Sequence, residues 1–310
     1  MRDEFGFDRI RSVEFCVNLG HSTTGPINYL VPSDTSVQDA LREVLATTVN
    51  ALQPDGDEWA TYELSEKYAA TESLRADLRS EPMAAIRALH GEEGWEVNAD
   101  ALSDPSRLAY YFGVFRDDQG QKLLGVRQAA QFKGVVNARF LSIVDDTLRM
   151  VPDRVFKLDH QFDFLITANH VYVLRPAGFE RVAEVEEHAS AKAREMAVAL
   201  GKTIKFLDFS TLADYVGHHK RAARLIAALH SRGDLKTVKR SMFCKAGAES
   251  GVVLQAAGRK IAPAKGSELG CLQLLDYRRY TIALAPGQKP AFVAGSGRQV
   301  QPETAVARKR

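Results

Sequence analysis

The stretch FDFLITANHVYVL, residues 162–174, carries the clearest fold signal in the chain. Two short runs rich in aromatic and β-branched residues, 162–167 and 170–174, flank the dipeptide Ala168-Asn169. Such residues favour strands, and a two-residue connection between two strands is typical of a hairpin. The stretch therefore predicts a pair of antiparallel strands.

Upstream of this hairpin, the sequence predicts further short strands separated by tight turns. The turns fall at 117–120 and 145–146, where Asp, Gln and Gly replace the apolar residues. The predicted strands span residues 108–116, 122–132, 139–144, 147–150 and 154–157. Together with the hairpin they predict an antiparallel meander over residues 106–175.

Downstream, the apolar spacing changes to that of helices. A stripe of apolar residues predicts one helix over 179–200, which ends at Gly201. Ser210 or Thr211 starts a second helix that runs to about residue 230, and Asp234 starts a third that runs to about 245. Short strands are expected again over 250–290, most clearly at 271–275 and 280–284.

The N-terminal part alternates strands with helices. Residues 11–19 and 27–31 predict strands, and residues 34–36 offer caps for an amphipathic helix that runs to Leu52. Another strand is expected at 59–64. Pro82 suits the first turn of a helix ending near His90.

The chain is therefore expected to have an α+β fold. An N-terminal α/β region precedes an antiparallel meander core, which basic helices and a short C-terminal β region follow. The expected division is an acidic region at 1–104, a main domain at 105–295 with helices at 179–245, and a flexible basic tail at 296–310. Asp104-Pro105 marks the boundary between the first two.

Charge is unevenly distributed along the sequence. Residues 1–105 carry 8 basic and 20 acidic residues, a net charge of −12, whereas residues 202–310 carry 20 basic and 7 acidic residues, a net charge of +13. A strongly basic third indicates a surface for a polyanion, most commonly nucleic acid. The alternative is that the acidic and basic parts face each other, within one chain or across a dimer.

Motifs for catalysis or cofactor binding are largely missing from the sequence. GHSTTG at 20–25 has the opening spacing of a phosphate-binding loop, but Pro26-Ile27 stands where Lys-Ser/Thr is required. Three scattered cysteines predict reduced thiols and no zinc site, and no cofactor or metal is expected. Without a membrane-spanning run or a secretory signal, the chain is expected in the cytoplasm.

One set of carboxylates keeps a metal-dependent nuclease open as an alternative. Asp159, Asp163 and Glu180 lie within and beside the meander, and clustered carboxylates are what Mg²⁺ requires. Asp163 stands between Phe162 and Phe164, which suits a hydrogen-bonded structural carboxylate instead.

The basic residues are better organised than the carboxylates. They are spaced along the two predicted helices opposite an apolar face, and further ones lie on the meander. The predicted phosphate contacts are Lys220, Arg221, Arg224, Lys236, Lys239, Arg240, Arg127 and Lys133, with Arg139 beside them. No base-reading motif accompanies them, so binding is expected to depend little on sequence.

The neighbourhood of the hairpin resembles a known family. FKLDHQFDFLI at 156–166, HVYVL at 170–174 and GFE at 178–180 are similar to the KwaB subunit of the Kiwa antiphage defence system. Gly125-Val126-Arg127 to Phe132-Lys133 fits a strand pair of that family. The resemblance covers roughly residues 105–285.

This resemblance implies a cytoplasmic subunit that binds DNA and acts with a membrane-spanning KwaA-like partner. It also implies a homodimer and a membrane-associated assembly, and it supplies no catalytic residue. Residues and resemblance together predict a non-catalytic subunit that binds double-stranded phage DNA. A nuclease of the same system, and an interaction adaptor that does not touch DNA, are the alternatives.

Overall fold

The computed structural model describes residues 1–22, 25–53, 59–64, 66, 68, 72–80, 83–103, 107–129, 141–144, 147–150, 157–282 and 290–295. The chain forms two compact units. Unit 1 comprises residues 1–62 and 68–185, and unit 2 comprises residues 63–67 and 186–310.

Unit 1 is built on a nine-stranded sheet. Its strands are β1 (Ile10–Ser22), β2 (Gly25–Val31), β3 (Ala60–Thr61), β4 (Leu74–Asp77), β5 (Glu96–Val97), β6 (Tyr110–Asp117), β7 (Lys122–Gln128), β10 (Phe164–Ile166) and β11 (His170–Val173). They lie in the order β3-β4-β11-β10-β7-β6-β1-β2-β5. Only the outermost pairs, β3–β4 and β2–β5, are parallel. A separate hairpin is formed by β8 (Leu141–Val144) and β9 (Thr147–Met150).

Three helices complete unit 1 within its described residues: α1 (Thr35–Ala51), α2 (Ala84–Gly91) and α3 (Pro176–Val182). The Asp34 carboxylate accepts a hydrogen bond from the Val37 N–H and so caps α1, as the sequence predicts. The apolar face of α1, with Leu41 and Leu45, belongs to the same buried cluster as Phe115 of β6 and Phe162, which precedes β10. Burial of these large apolar side chains stabilises the sheet and fixes its register.

Unit 2 is mainly helical. Its elements are α4 (Val185–Thr203, which starts at the end of unit 1), α5 (Ser210–Val216), α6 (Lys220–Ser231), a 3₁₀ turn (Asp234–Thr237), α7 (Arg240–Glu249), β12 (Leu254–Ala257), β13 (Lys260–Pro263), α8 (Glu268–Leu275), β14 (Arg279–Thr281) and β15 (Ala291–Val293). Its core contains Ile226, Leu229, Phe243 and Leu272. The strands form two antiparallel pairs, β12–β13 and β14–β15.

The predicted α+β class is confirmed, but several local predictions are wrong. Residues 271–275 form most of α8 instead of a strand, because Cys271 and its neighbours are buried on all sides. A short apolar run does not distinguish a buried strand from a buried helix. The predicted helix at 179–200 is two helices, α3 and α4, separated at Glu184, whose φ of 51° is left-handed.

The two basic helices also differ from their predicted form. The second breaks at residues 217–219, between α5 and α6. The third begins as a 3₁₀ turn, and its α-helix starts six residues later than Asp234, at Arg240. Both changes move basic residues from the middle of a helix to its start.

The predicted division at residue 104 runs through the sheet. β1, from the N-terminal region, pairs with β6, from the predicted main domain, over eight residue pairs. Strand pairing therefore joins the predicted regions 1–104 and 105–295. Residues 104 and 105, Pro82, the strand at 154–156 and the tail 296–310 lie outside the described residues. No helix in the described part of the chain is long and apolar enough to cross a membrane.

Candidate nucleic-acid interface

Three carboxylates of unit 2, those of Glu66, Asp234 and Asp276, are engaged by two arginines of the same unit. Arg278 is buried, and its guanidinium pairs with Asp276 at 2.6 Å and with Glu66 at 3.2 Å. Arg232 pairs with Asp234 at 2.6 Å and with the other oxygen of Asp276 at 3.3 Å. Buried or half-buried pairs of this kind hold the loops of the unit together.

Two more carboxylates of unit 2 are bound to its own backbone. Asp208 accepts the Ser210 N–H at 3.1 Å, and Glu268 accepts the Gly266 N–H at 2.7 Å. The Ser210 hydrogen bonds, with the charge of Lys260 in addition, hold the pKa of Asp208 below its usual value. Most of the basic side chains that the structure describes in this unit, in contrast, are exposed.

The first group of these side chains lies at the start of α6. We call Arg194, His218, His219, Lys220 and Arg221 the α6 cluster; all five are exposed. Arg194 Nη2 lies 3.4 Å from His218 Nε2, and the ring of His219 lies 4.1 Å from that of Tyr215. The sequence pointed to Lys220 and Arg221, but not to Arg194, which is 26 residues away along the chain.

The second group lies at the start of α7. We call Lys239, Arg240, Arg259 and Lys260 the α7 cluster; all four are exposed. Arg240 Nη1 donates a hydrogen bond to the Arg259 carbonyl oxygen at 3.2 Å, which joins the helix to the β12–β13 turn. The turn itself is fixed by backbone hydrogen bonds between Ile261 and residues 206 and 208.

Both helix starts carry basic residues where the helix macrodipole is positive. Neither α6 nor α7 has a side-chain N-cap or an acidic residue in its first turn. Cations at this end of a helix are unfavourable by about 0.3–1 kcal/mol each, and the uncapped N–H groups remain available to an anion. The arrangement costs stability and suits a phosphate.

The other predicted phosphate contacts belong to neither cluster. Arg224 is half-buried in α6, and its Nε donates to the Leu64 carbonyl oxygen at 2.9 Å. Lys236 is exposed in the 3₁₀ turn, with no partner among the described residues. Arg127 lies in unit 1, on β7. Lys133 and Arg139 lie outside the described residues.

Arg127 is engaged with two of the candidate nuclease carboxylates. Its guanidinium pairs with Asp159 at 3.0 Å and with Asp163. Asp163 is 3 % exposed, and it also accepts the Gln128 N–H at 2.8 Å. Burial raises the pKa of Asp163, and the Gln128 N–H and the charges of Arg127 and Arg175 oppose that rise.

Two further observations describe the surroundings of these carboxylates. A methyl group on Gly178 would overlap the Asp163 carboxylate, so that α3 packs directly on it. Glu180 accepts a hydrogen bond from the Tyr62 hydroxyl at 3.0 Å. Among the residues that the structure describes, no three His, Cys, Asp or Glu side chains are grouped to hold a metal ion.

Comparison with known proteins identifies the family. The family model described as "Kiwa protein KwaB-like" matches residues 109–276, more than half of the chain. The comparisons with curated proteins and with solved structures gave no match. The matched span includes the 162–174 hairpin and both basic clusters, and it confirms the resemblance seen in the sequence. The chain belongs to the KwaB-like family of Kiwa proteins and is a component of that antiphage defence system.

Proposed function

We propose that this KwaB-like chain binds double-stranded DNA through the α6 and α7 clusters and has no chemistry of its own. The observation that carries the proposal is that two helices begin with exposed cations and no cap. A sequence optimised only for stability would place Asp, Ser or Thr there. DNA phosphates would supply negative charge at two helix starts whose first turns contain no acidic residue.

The chemistry of the clusters also bears on specificity. Lysine, arginine and free helix N–H groups contact phosphate oxygens, which are the same at every base pair. Phosphate contacts therefore position a protein on DNA without reading its sequence. We propose that the chain binds phage DNA with little sequence preference and that Lys220, Arg221, Lys236, Lys239 and Arg240 make most contacts.

The proposal is tested by charge reversal at positions that have no structural partner. Arg221, Lys236 and Lys239 are exposed and unpaired among the described residues, so Arg221→Glu, Lys236→Glu and Lys239→Glu remove charge without breaking contacts. At about 1 kcal/mol for each lost contact, the triple variant is expected to bind a mixed-sequence duplex about 10²-fold more weakly.

A matched control comes from unit 1. Arg2→Glu, Arg11→Glu and Arg107→Glu change the net charge by the same amount at exposed positions. This control is expected to bind within about threefold of the unchanged protein, because none of the three arginines belongs to the proposed phosphate contacts. Equal loss in both triple variants would mean that only net charge matters, and no loss in either would favour the adaptor alternative.

We further propose that a membrane-spanning KwaA-like subunit binds the acidic region and that the chain forms a homodimer. Residues 1–105 have a net charge of −12. Cytoplasmic loops of membrane proteins are rich in Lys and Arg, so the charges are complementary. Because β1 lies inside the nine-stranded sheet, deletion of residues 1–104 would destroy unit 1, and point changes are needed.

Exposed carboxylates of unit 1 allow this partner to be tested. Glu43→Gln, Glu96→Gln and Asp100→Asn neutralise three of them. On co-expression with the membrane subunit, the unchanged chain is expected in the membrane fraction and the variant in the supernatant. Membrane association of the chain by itself would contradict a partner mechanism.

A further inference from the structure

An exposed pair of aromatic rings lies on the β14–β15 ribbon of unit 2. Tyr280 and Phe292 are direct cross-strand partners, and their rings are nearly parallel, with an interplanar angle of 26° and centroids 5.8 Å apart. Tyr280 is 44 % exposed and Phe292 is 42 % exposed. Large apolar side chains that stay together at the surface commonly mark a binding site.

The ribbon is attached to the helix that carries the α7 cluster. The Arg279 guanidinium donates to the Ser250 carbonyl oxygen at 3.1 Å and to Gln273 Oε1 at 3.2 Å, which fixes β14 at the end of α7. Lys245 is exposed on α7, five residues before Ser250, or about 8 Å along the helix axis. These hydrogen bonds therefore fix the aromatic pair relative to the cations of α7.

Another exposed aromatic residue, Tyr277, precedes the ribbon by two residues. It has a left-handed φ of 55° and is 52 % exposed. The Arg232 guanidinium lies 4.5 Å from the centre of its ring, and its hydroxyl donates to Asp234 at 3.0 Å. A non-glycine residue with this φ is strained, and the contacts hold its ring at the surface despite that strain.

We infer that Tyr280 and Phe292 form a stacking subsite for the bases of single-stranded nucleic acid, with its phosphates on the cations of α7. Every base has a π-face, so aromatic platforms beside basic side chains bind single strands with little sequence preference. The positive charge of the surface of unit 2 favours this occupant over an apolar protein partner. The inference rests on the proposed DNA binding, and it adds single-stranded nucleic acid to the ligands of this surface.

The test compares about 20 nucleotides of oligo(dT) with a duplex of similar length. Tyr280→Leu with Phe292→Leu keeps apolar side chains but removes both π-faces. This variant is expected to bind oligo(dT) about five- to thirtyfold more weakly, with duplex affinity and its salt dependence unchanged. Val253→Ala, at another exposed apolar position of unit 2, is the matched control and is expected to change neither affinity.

A second variant keeps the test independent of how well the leucine variant folds. Tyr280→Trp preserves a π-face, and its fluorescence is expected to be quenched when oligo(dT) binds, at unchanged affinity or higher. Unchanged oligo(dT) affinity in the leucine variant, or no quenching, would overturn the inference while duplex binding still supported the proposed function. If the unchanged protein bound neither oligonucleotide, both would fail. Loss of self-association in the leucine variant, with oligo(dT) affinity intact, would assign the ribbon to a protein contact and overturn the inference.

Discussion

Both units of the chain contain paired and exposed cations, but among the described residues exposed cations at the starts of α-helices occur only in unit 2. In unit 1, Lys122 is 8 % exposed and pairs with Glu93 at 2.5 Å, and Arg127 lies between Asp159 and Asp163. In unit 2, the cations of the α6 and α7 clusters are exposed. Five carboxylates of that unit are engaged by Arg232, Arg278 or the backbone: Glu66, Asp208, Asp234, Glu268 and Asp276. A paired, half-buried cation serves the fold, whereas the exposed side chains of Arg221, Lys236 and Lys239 are available to a partner.

α1 is the capped helix of unit 1, while α2 and α3 of that unit also lack a side-chain cap, so the cations at their starts are what distinguish α6 and α7. α1 in unit 1 begins with Asp34, whose carboxylate caps the first turn. α6 and α7 in unit 2 begin with Lys220-Arg221 and Lys239-Arg240, without a cap. A side-chain cap stabilises a helix by about 1 kcal/mol, so α6 and α7 are less stable than they would be with a capping residue. Positions that reduce stability in this way commonly serve function.

The largest expected effect is on stability in unit 1. Arg127→Ala leaves Asp163 buried without its main counter-charge and is expected to lower the free energy of unfolding by about 3–5 kcal/mol. Urea denaturation measures this change. DNA affinity of the folded variant is expected to stay within about twofold, because Arg127 is occupied by carboxylates. A stable variant that had lost DNA binding would show that Arg127 belongs to the interface, as the sequence suggested.

A smaller effect is expected where α3 packs on the same carboxylate. Gly178→Ala places a methyl group against Asp163 and is expected to destabilise unit 1 by about 1–3 kcal/mol. Gly91→Ala is the control, since nothing lies near a methyl group there and the residue is helical. Equal melting temperatures for the two variants would show that the packing on Asp163 is looser than the structure indicates.

Lys239→Asp separates stability from binding in unit 2. The new carboxylate caps α7 and is expected to raise the free energy of unfolding by about 0.5–2 kcal/mol. It also removes one phosphate contact, so the affinity for duplex DNA is expected to fall at least fivefold, which is about 1 kcal/mol. Higher stability with unchanged affinity would leave the uncapped helix start without a function.

The smallest expected effect is a pH dependence in unit 1. Burial alone would raise the pKa of Glu4, but hydrogen bonds from Thr167, His170 and Tyr172 hold it below its usual value. A carboxyl group with a lowered pKa stabilises the fold above its unfolded value and loses that contribution as the pH falls. The stability difference between the unchanged protein and Glu4→Gln is therefore expected to shrink as the pH falls through the acidic range in which Glu4 takes up a proton. A difference that did not vary with pH would contradict this assignment.

Local patterns predicted the elements whose signals are local. The Asp34 cap, the β6–β7 hairpin and the 162–174 hairpin all follow from residues close together in sequence. Long-range pairing did not, since β1 could pair with any strand of suitable pattern, and its register with β6 depends on the packed core. The buried run at 271–275 carried no periodicity, which is why α8 was predicted as a strand.

The candidate interface was predicted only in part, for the same reason. Lys220, Arg221, Lys239 and Arg240 are visible as basic pairs in the sequence. Their position at helix starts depends on the breaks after α5 and after the 3₁₀ turn, which the continuous apolar stripe concealed. The hydrogen bond from Arg240 to Arg259 joins residues 19 apart and leaves no pattern in the sequence.

Phosphate binding by the cations of unit 2 can be measured through the salt dependence of DNA affinity. Each phosphate contact contributes about −0.9 to the slope of log affinity against log salt concentration. We expect Arg221→Glu, Lys236→Glu and Lys239→Glu together to make this slope shallower by about 3, while the unit 1 control keeps the slope of the unchanged protein. A slope unchanged by the unit 2 reversals would contradict the claim that the cations of unit 2 bind phosphate.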